Sequence, residues 1–438
     1  MPKRHVIVGG GTAGLNAILT IREHDHGESE IMLVSSERPY SRMVLPYYLG
    51  RTITESHVFT LTPARLAQLQ VQTYIGQHAA KLDASANQLM LDDETILEYD
   101  DLLIATGSSA VRAPVAGADL PGVHTFWTLP QARSVVAQIR EGSHVVMVGA
   151  GFIAFTILNA ILALKARLTI VEIAPQILPR MIDRAGAEMV AGWLSRHGVA
   201  IRTRAHLTTI LDSNGRKQLR FSEGEDLVAD VVIMATGIRT NLEWLNGSAV
   251  RVNRGILVDD HLRSSIPNIY AAGDVAEGRD LVSGQPAVHA IEPTAMEHGR
   301  VAGANMAGQD VTYRGSLLMN VVEVCHLDIA SFGAWDDPTA EGFAAARPER
   351  WVYRKLVWRE DRLVGATILG MSNDIWTTND VGMLKGLVQS GGKLGAWKEH
   401  LRRNPFDIKP AFIASGTTAR LLPETTLGRP SIPAGQVV

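Results

Sequence analysis

His5-Val6-Ile7-Val8-Gly9-Gly10-Gly11-Thr12-Ala13-Gly14 is the stretch that decides the fold. His5 to Val8 reads as a buried, β-branched strand, the glycines as a tight corner, and Leu15 to Ile21 as the helix that follows. A second strand, Glu30 to Val34, completes a βαβ unit of the expected size. In such a turn Gly9 makes the corner, Gly11 lets the backbone approach a pyrophosphate, and Gly14 lets the helix pack closely, while the helix N-terminus offers amide donors to the anion. The acid expected after the second strand is displaced, because Ser35 and Ser36 stand there and Glu37 follows. Glu37 is the candidate ribose ligand, with a solvated loop carboxylate as the equal alternative.

The pattern recurs about 140 residues further on. Ser143 to Val148 is a strand, Gly149-Ala150-Gly151-Phe152-Ile153-Ala154 a turn, Phe155 to Lys165 a helix, and Arg167 to Glu172 the closing strand. Two such units imply two nucleotide sites, one of which could be a flavin site. Gly149, Gly151 and Ala154 occupy the second turn. Glu172 ends its second strand, where a carboxylate accepts from the adenosine ribose and repels a 2′-phosphate, and no arginine follows until Arg180. NADH is therefore favoured over NADPH, the alternative being a nucleotide fold that no longer binds. Asp101 to Gly107 and Asp230 to Gly237 are further buried strands ending in small corners, Thr106-Gly107 and Thr236-Gly237. Asn268 to Asp274 is a third, and an acid at its carboxyl end suits a ribose or ribityl hydroxyl.

Beyond about residue 310 the texture changes. Tyr353 to Trp358 and Arg362 to Leu369, joined by Glu360-Asp361, read as an antiparallel hairpin in a separate α+β domain. Asn404 to Val438 carries Pro405, Pro410, Pro423, Pro430 and Pro433 with little periodicity, which predicts an extended arm or a partly disordered tail.

The whole-chain figures agree with a multidomain α/β protein: 438 residues, 46% hydrophobic, 42 basic against 45 acidic side chains, net charge −3. That balance argues against nucleic-acid binding and polybasic membrane binding. One cysteine, Cys325, leaves no intrachain disulfide, CxxC pair or cysteine-rich iron-sulfur or zinc site, so redox chemistry needs a borrowed cofactor. His289, His298 and His326 lack paired ligand spacing, and no metal site is expected. His298 reads as a surface or interface histidine. The apolar stretch Phe152 to Leu164 falls short of the roughly 20 residues of a spanning helix. No secretory signal is read at the N-terminus, and a cytoplasmic location is the default expectation.

Taken in order, Gly9 to Gly14, Pro39 to Gly50, both Ala-Thr-Gly corners, Gly149 to Ala154, Gly237 to Asn241 and Ala272-Gly273-Asp274 resemble the FAD-dependent pyridine nucleotide-disulfide oxidoreductase superfamily over roughly residues 5 to 390. The similarity is greatest to the branch holding NADH oxidases, coenzyme A-disulfide reductases, rubredoxin and ferredoxin reductases, and the flavoprotein part of nitrite reductases. The resemblance implies two Rossmann-like domains plus a C-terminal α+β dimerisation domain: an FAD domain (1–112 and 244–309) interrupted by an NAD domain (113–243), an interface domain (310–400) and an arm (401–438). It implies that Gly9, Gly11 and Gly14 hold the FAD pyrophosphate, that Thr106 and Gly107 border the adenylate side, and that Gly273-Asp274 binds the ribityl chain. The resemblance also implies that Arg42 lies in the loop beside the flavin and that the segment Glu292-Pro293-Thr294-Ala295, with Pro293, Thr294 and Ala295 as its site residues, begins a helix under the pyrimidine ring. The positive end of that helix would stabilise negative charge there. Gly237 joins Gly149, Gly151, Ala154 and Glu172 on the NAD side.

The chain also departs from the family. The segment Arg42-Met43-Val44 has Met43 where coenzyme A-disulfide reductases and water-forming NADH oxidases carry a redox cysteine, and the first glycine turn has Thr12 where NADH peroxidases carry a histidine, which disfavours disulfide, peroxide and persulfide chemistry. Cys325 falls in the C-terminal domain and reads as a structural thiol. The lysine and glutamate that ferredoxin reductases pair beside the flavin and nicotinamide are Tyr47 and Thr156 here. Either these two orient the ring or they are packing. The implied activity is electron transfer from NADH through FAD to an acceptor, an iron-sulfur or rubredoxin-like protein, in a homodimer. The alternative is a flavoprotein subunit or redox-sensing module of a larger complex with an impaired NADH site.

Overall fold

The computed structural model describes residues 2–421. Two five-stranded parallel sheets organise it. The first has the order Ile269–Ala271, Asp101–Ile104, Arg4–Val8, Glu30–Ser35, Val71–Ile75. The second has the order Ala200–Arg202, Arg167–Val171, His144–Val148, Val231–Met234, Val123–Thr125. The central strands are apolar and buried on both faces, as a parallel sheet covered by helices requires. Since Asp101–Ile104 and Ile269–Ala271 are neighbours in the first sheet, the chain leaves that sheet, builds the second, and returns.

Each glycine turn opens a helix: α1 (Thr12–Asp25) and α2 (Phe152–Ala163). After the chain returns, α3 (Glu292–Met306) lies against α1. The apolar character of α2 has a packing cause. Phe155, Leu158 and Ile161 belong to one core with Leu45, Leu49 and Val58 on one side and Val322, Val324, Leu327 and Ile329 on another.

The C-terminal part is a five-stranded antiparallel sheet, Met319–Val324, Leu327–Gly333, Arg362–Met371, Val352–Arg359, Glu341–Arg347. Its hairpin turns at Glu360-Asp361, with Arg359 opposite Arg362. The helix Ile375–Ser390 packs on this sheet.

Residues 404–421 are not the extended arm expected of them. Ala396–Arg403, Ile408–Ala414 and Thr417–Arg420 are helical. Leu401, Ile408 and Ala411 are fully buried against Leu356, Trp358 and Leu384, and that burial outweighs the weak periodicity. Pro405 lies between helices, and Pro410 falls in the first turn of its helix, where no amide donor is needed. Pro423, Pro430 and Pro433 lie outside the described residues. No described helix is long and apolar enough to cross a membrane.

Candidate functional site

The carboxyl ends of both parallel sheets open into one cavity of about 1860 Å³. This is where ligands sit in doubly wound sheets. Gly9 and Gly149 make the corners with φ of +119° and +101°, and a β-carbon on either would stand 2.1 Å from the Ala105 oxygen or 2.4 Å from the Ala235 oxygen. Gly11 and Gly151 cap α1 and α2. Neither cap offers a side-chain hydrogen bond, and a β-carbon on either would meet open space. The first amides of two helices are thus bare toward the cavity, which suits two pyrophosphate groups. Gly14 and Ala154 lie behind this wall. A β-carbon on Gly14 would stand 2.0 Å from the Gly9 oxygen, and Ala154 is fully buried.

On the first-sheet side, Thr106, Gly107, Gly273 and Asp274 line the cavity with Glu37 and Arg42. Asp274 Oδ2 accepts from Ser108 Oγ at 2.6 Å and lies 3.9 Å from Arg42 Nη1. The Arg42 guanidinium sits over the Trp127 ring, whose Nε1 donates to the Ser108 carbonyl at 2.7 Å. Thr106 is fixed by Asn241: its Oγ1 donates to the Asn241 carbonyl and its own carbonyl accepts from Asn241 Nδ2. Glu37 Oε2 accepts from the Tyr40 hydroxyl at 3.0 Å, and that hydroxyl accepts from the Leu129 amide. Burial, with Glu37 adding, pushes the Tyr40 phenol up, so it stays a donor.

On the second-sheet side, Glu172 is buried and already oriented, with Oε2 accepting from the Ala150 amide at 2.6 Å and Oε1 from the Ala174 amide at 2.8 Å. Gly237 and Thr156 also reach the cavity. Thr156 Oγ1 donates to the Ile153 carbonyl at 2.8 Å, so toward the cavity it can only accept.

Pro293 and Ala295 line the cavity at the start of α3, and Thr294 is buried beside them. Tyr47 does not join the site: it is 60% exposed and absent from the cavity wall. Leu45 and Leu49 are buried in the same short helix, and their i, i+4 stripe turns Tyr47 outward. Met43 does line the cavity. Glu292, the first residue of the same segment as Pro293 but not among the expected ligands, lines it too and accepts from Thr12 and Ser41.

His298 is not at a surface but buried within the chain, with Nε2 3.4 Å from Ser316 Oγ. Cys325 lies away from the cavity in a hairpin turn, its carbonyl accepting from Trp193 Nε1 and its amide donating to Asn159 Oδ1. Burial, with Glu323 adding, pushes its thiol up to about 11.

Residues 3–299 match the family model described as pyridine nucleotide-disulphide oxidoreductase. The chain is 32% identical over 321 residues to the NADH-dependent phenylglyoxylate dehydrogenase subunit epsilon of Aromatoleum evansii, covering 72% of this chain and 76% of that one. It is 30% identical over 282 residues to the rubredoxin-NAD(+) reductase of Pseudomonas putida, covering 64% and 73%. To the nitrite reductase [NAD(P)H] of Bacillus subtilis (strain 168) it is 28% identical over 407 residues, covering 89% of this chain but only half of the relative's length. Among solved structures, the covalent putidaredoxin reductase-putidaredoxin complex shares the fold with a TM-score of 0.85 at 20% identity, over 94% of this chain and 99% of that one.

Proposed function

Because the chain belongs to the pyridine nucleotide-disulphide oxidoreductase family, we propose that it is an FAD-dependent NADH oxidoreductase that passes electrons to an iron-sulfur or rubredoxin-like protein. The observation that carries this reading is that two bare helix N-termini face one shared cavity whose wall holds no thiol. FAD, when bound, supplies the ring that accepts electrons from NADH and delivers them to the acceptor. Over a turnover NADH becomes NAD+ and a proton, and two electrons reduce two one-electron acceptors. Without a protein thiol to relay electrons, the acceptor must approach the cofactor itself. The rubredoxin-NAD(+) reductase relative supports an acceptor of that kind.

The residues divide the work by position. Gly9 and Gly11 leave room for one pyrophosphate at α1, and Gly149 and Gly151 for another at α2. Asp274 offers a carboxylate to the ribityl hydroxyls, Glu37 to the adenosine ribose of FAD, and Thr106 and Gly107 flank its adenylate. Arg42 adds positive charge beside Asp274. Pro293 to Ala295 bring the N-terminus of α3 toward the flavin pyrimidine. Glu172 offers its remaining lone pairs to the NADH ribose and repels a 2′-phosphate. The domain limits that fit this division are 1–112 with 244–309 for FAD, 113–243 for NAD, and the C-terminal sheet as a homodimer interface.

A second reading is a flavoprotein subunit or redox-sensing module of a larger complex with an impaired NADH site; the name of the phenylglyoxylate dehydrogenase subunit epsilon favours its subunit part, while that relative's being NADH-dependent speaks against an impaired site. Anaerobic titration of the flavin-loaded protein with NADH, and separately with NADPH, separates the two. Bleaching of the flavin band by NADH supports the first reading. Bleaching by dithionite but not by NADH overturns it and supports the second.

A further inference from the structure

Glu292 is the one carboxylate that α3 presents at its cavity end, and it is held from two directions. Its Oε1 accepts from Thr12 Oγ1 at 3.0 Å and from Ser41 Oγ at 2.5 Å. Thr12 is the first residue of α1, and Ser41 stands in the loop after the strand Glu30–Ser35. Ser41 Oγ in turn accepts from the Met43 amide at 3.2 Å, which leaves its proton for Glu292. One oxygen thus ties three elements of the cavity wall together. Oε2 makes no hydrogen bond to a described residue.

This placement has an electrostatic consequence. A helix N-terminus carries roughly half a positive charge. Unopposed, it would favour added electrons on any group bound at α3. A half-buried carboxylate in its first turn opposes that pole at the cavity wall, where charges act more strongly than in bulk water. The two hydroxyl donors fix the carboxylate and offset part of its charge.

We propose that Glu292 is a positioning residue that lowers the reduction potential of the flavin bound at α3, and so sets which acceptors the protein can reduce. The inference rests on the FAD reading above. The test is the midpoint potential of the bound flavin, measured by spectroelectrochemistry in the full chain. Glu292→Gln keeps an oxygen acceptor for Thr12 and Ser41 but removes the charge. It should raise the potential so that the ratio of reduced to oxidised flavin, at a fixed ambient potential, increases at least tenfold, or about 30 mV for a two-electron couple. Glu292→Asp should restore the wild-type value. Ser41→Ala removes one donor without touching the charge and should shift the potential the opposite way.

A flavin-loaded Glu292→Gln with the wild-type potential overturns the proposal. Should that variant fail to retain FAD, Ser41→Ala decides: a lower potential supports the proposal and an unchanged one overturns it. A wild-type protein that binds no FAD overturns the parent reading itself, an outcome distinct from either.

Discussion

Gly299 of α3 crosses α1 so closely that a β-carbon on it would stand 2.2 Å from the carbonyl oxygen of Ala13. Gly303, one turn on, has the same relation to Ala17, at 2.6 Å. Both obstacles are backbone, so no side chain can swing aside. The contact sets the spacing between the two helix N-termini that border the first half of the cavity.

Gly299→Ala must therefore push α3 away from α1. Overpacking of this kind costs about 1–3 kcal/mol. The expected result is a lower melting temperature together with a reduced FAD-to-protein ratio in the purified protein, read from the flavin and protein absorption bands. A variant that keeps full flavin and the wild-type melting temperature would show that the crossing has slack.

Glu172 supports a second prediction. Replacing it with alanine removes the acceptor of the Ala150 and Ala174 amides and, on the proposed function, the carboxylate offered to the NADH ribose. Orphaning a buried donor costs about 1–3 kcal/mol. NADH should bind roughly ten- to a hundredfold more weakly by equilibrium titration, and the preference for NADH over NADPH should shrink. Equal loss for both nucleotides would mean that Glu172 holds the turn and does not read the ribose.

How much of this was legible in the sequence depends on how local each signal was. The two glycine turns could be read directly, because a strand, a tight corner and a helix are fixed by neighbouring residues. The return of the chain to the first sheet was expected only from the family resemblance, because the pairing of Ile269–Ala271 with Asp101–Ile104 joins strands far apart in sequence. Tyr47 was misread because its direction depends on which face of a five-residue helix is buried, and that is decided by the distant partners of Leu45 and Leu49. Glu292 was read only as part of the helix-opening segment, and its carboxylate was given no role of its own, because an acid in a helix's first turn is ordinary locally. Its link to Thr12 spans 280 residues and to Ser41 spans 251. The last helices were hidden for the opposite reason: their prolines are conspicuous, while the burial of Leu401 and Ile408 depends on a sheet formed earlier in the chain.

The contrast between Tyr47 and Thr156 is itself testable. Tyr47→Phe alters an exposed side chain outside the cavity, and such changes stay within about 0.5 kcal/mol. The rate of flavin reduction by NADH, followed by stopped flow, should change by no more than about twofold. Thr156→Val deletes a cavity-facing acceptor and should slow reduction by roughly three- to tenfold, the kinetic equivalent of one hydrogen bond. The reverse ranking would return Tyr47 to the site.

His298 makes stability depend on pH. It is fully enclosed, and burial, with His289 adding, pushes its imidazole down to about 3. An unfolded histidine titrates near 6.5. Between those two values the unfolded chain takes up a proton that the folded chain refuses. The stability His298 allows is therefore intact above about pH 6.5 and is lost as pH falls toward 3, at about 1.4 kcal/mol per unit. His298→Gln removes the titration while leaving a polar group beside Ser316. Chemical denaturation at about pH 7 and about pH 5 should show wild type losing more stability than the variant over that interval. Equal losses would mean that the folded protein admits a proton at His298, and that its enclosure by Tyr313 and Ser316 opens on acidification.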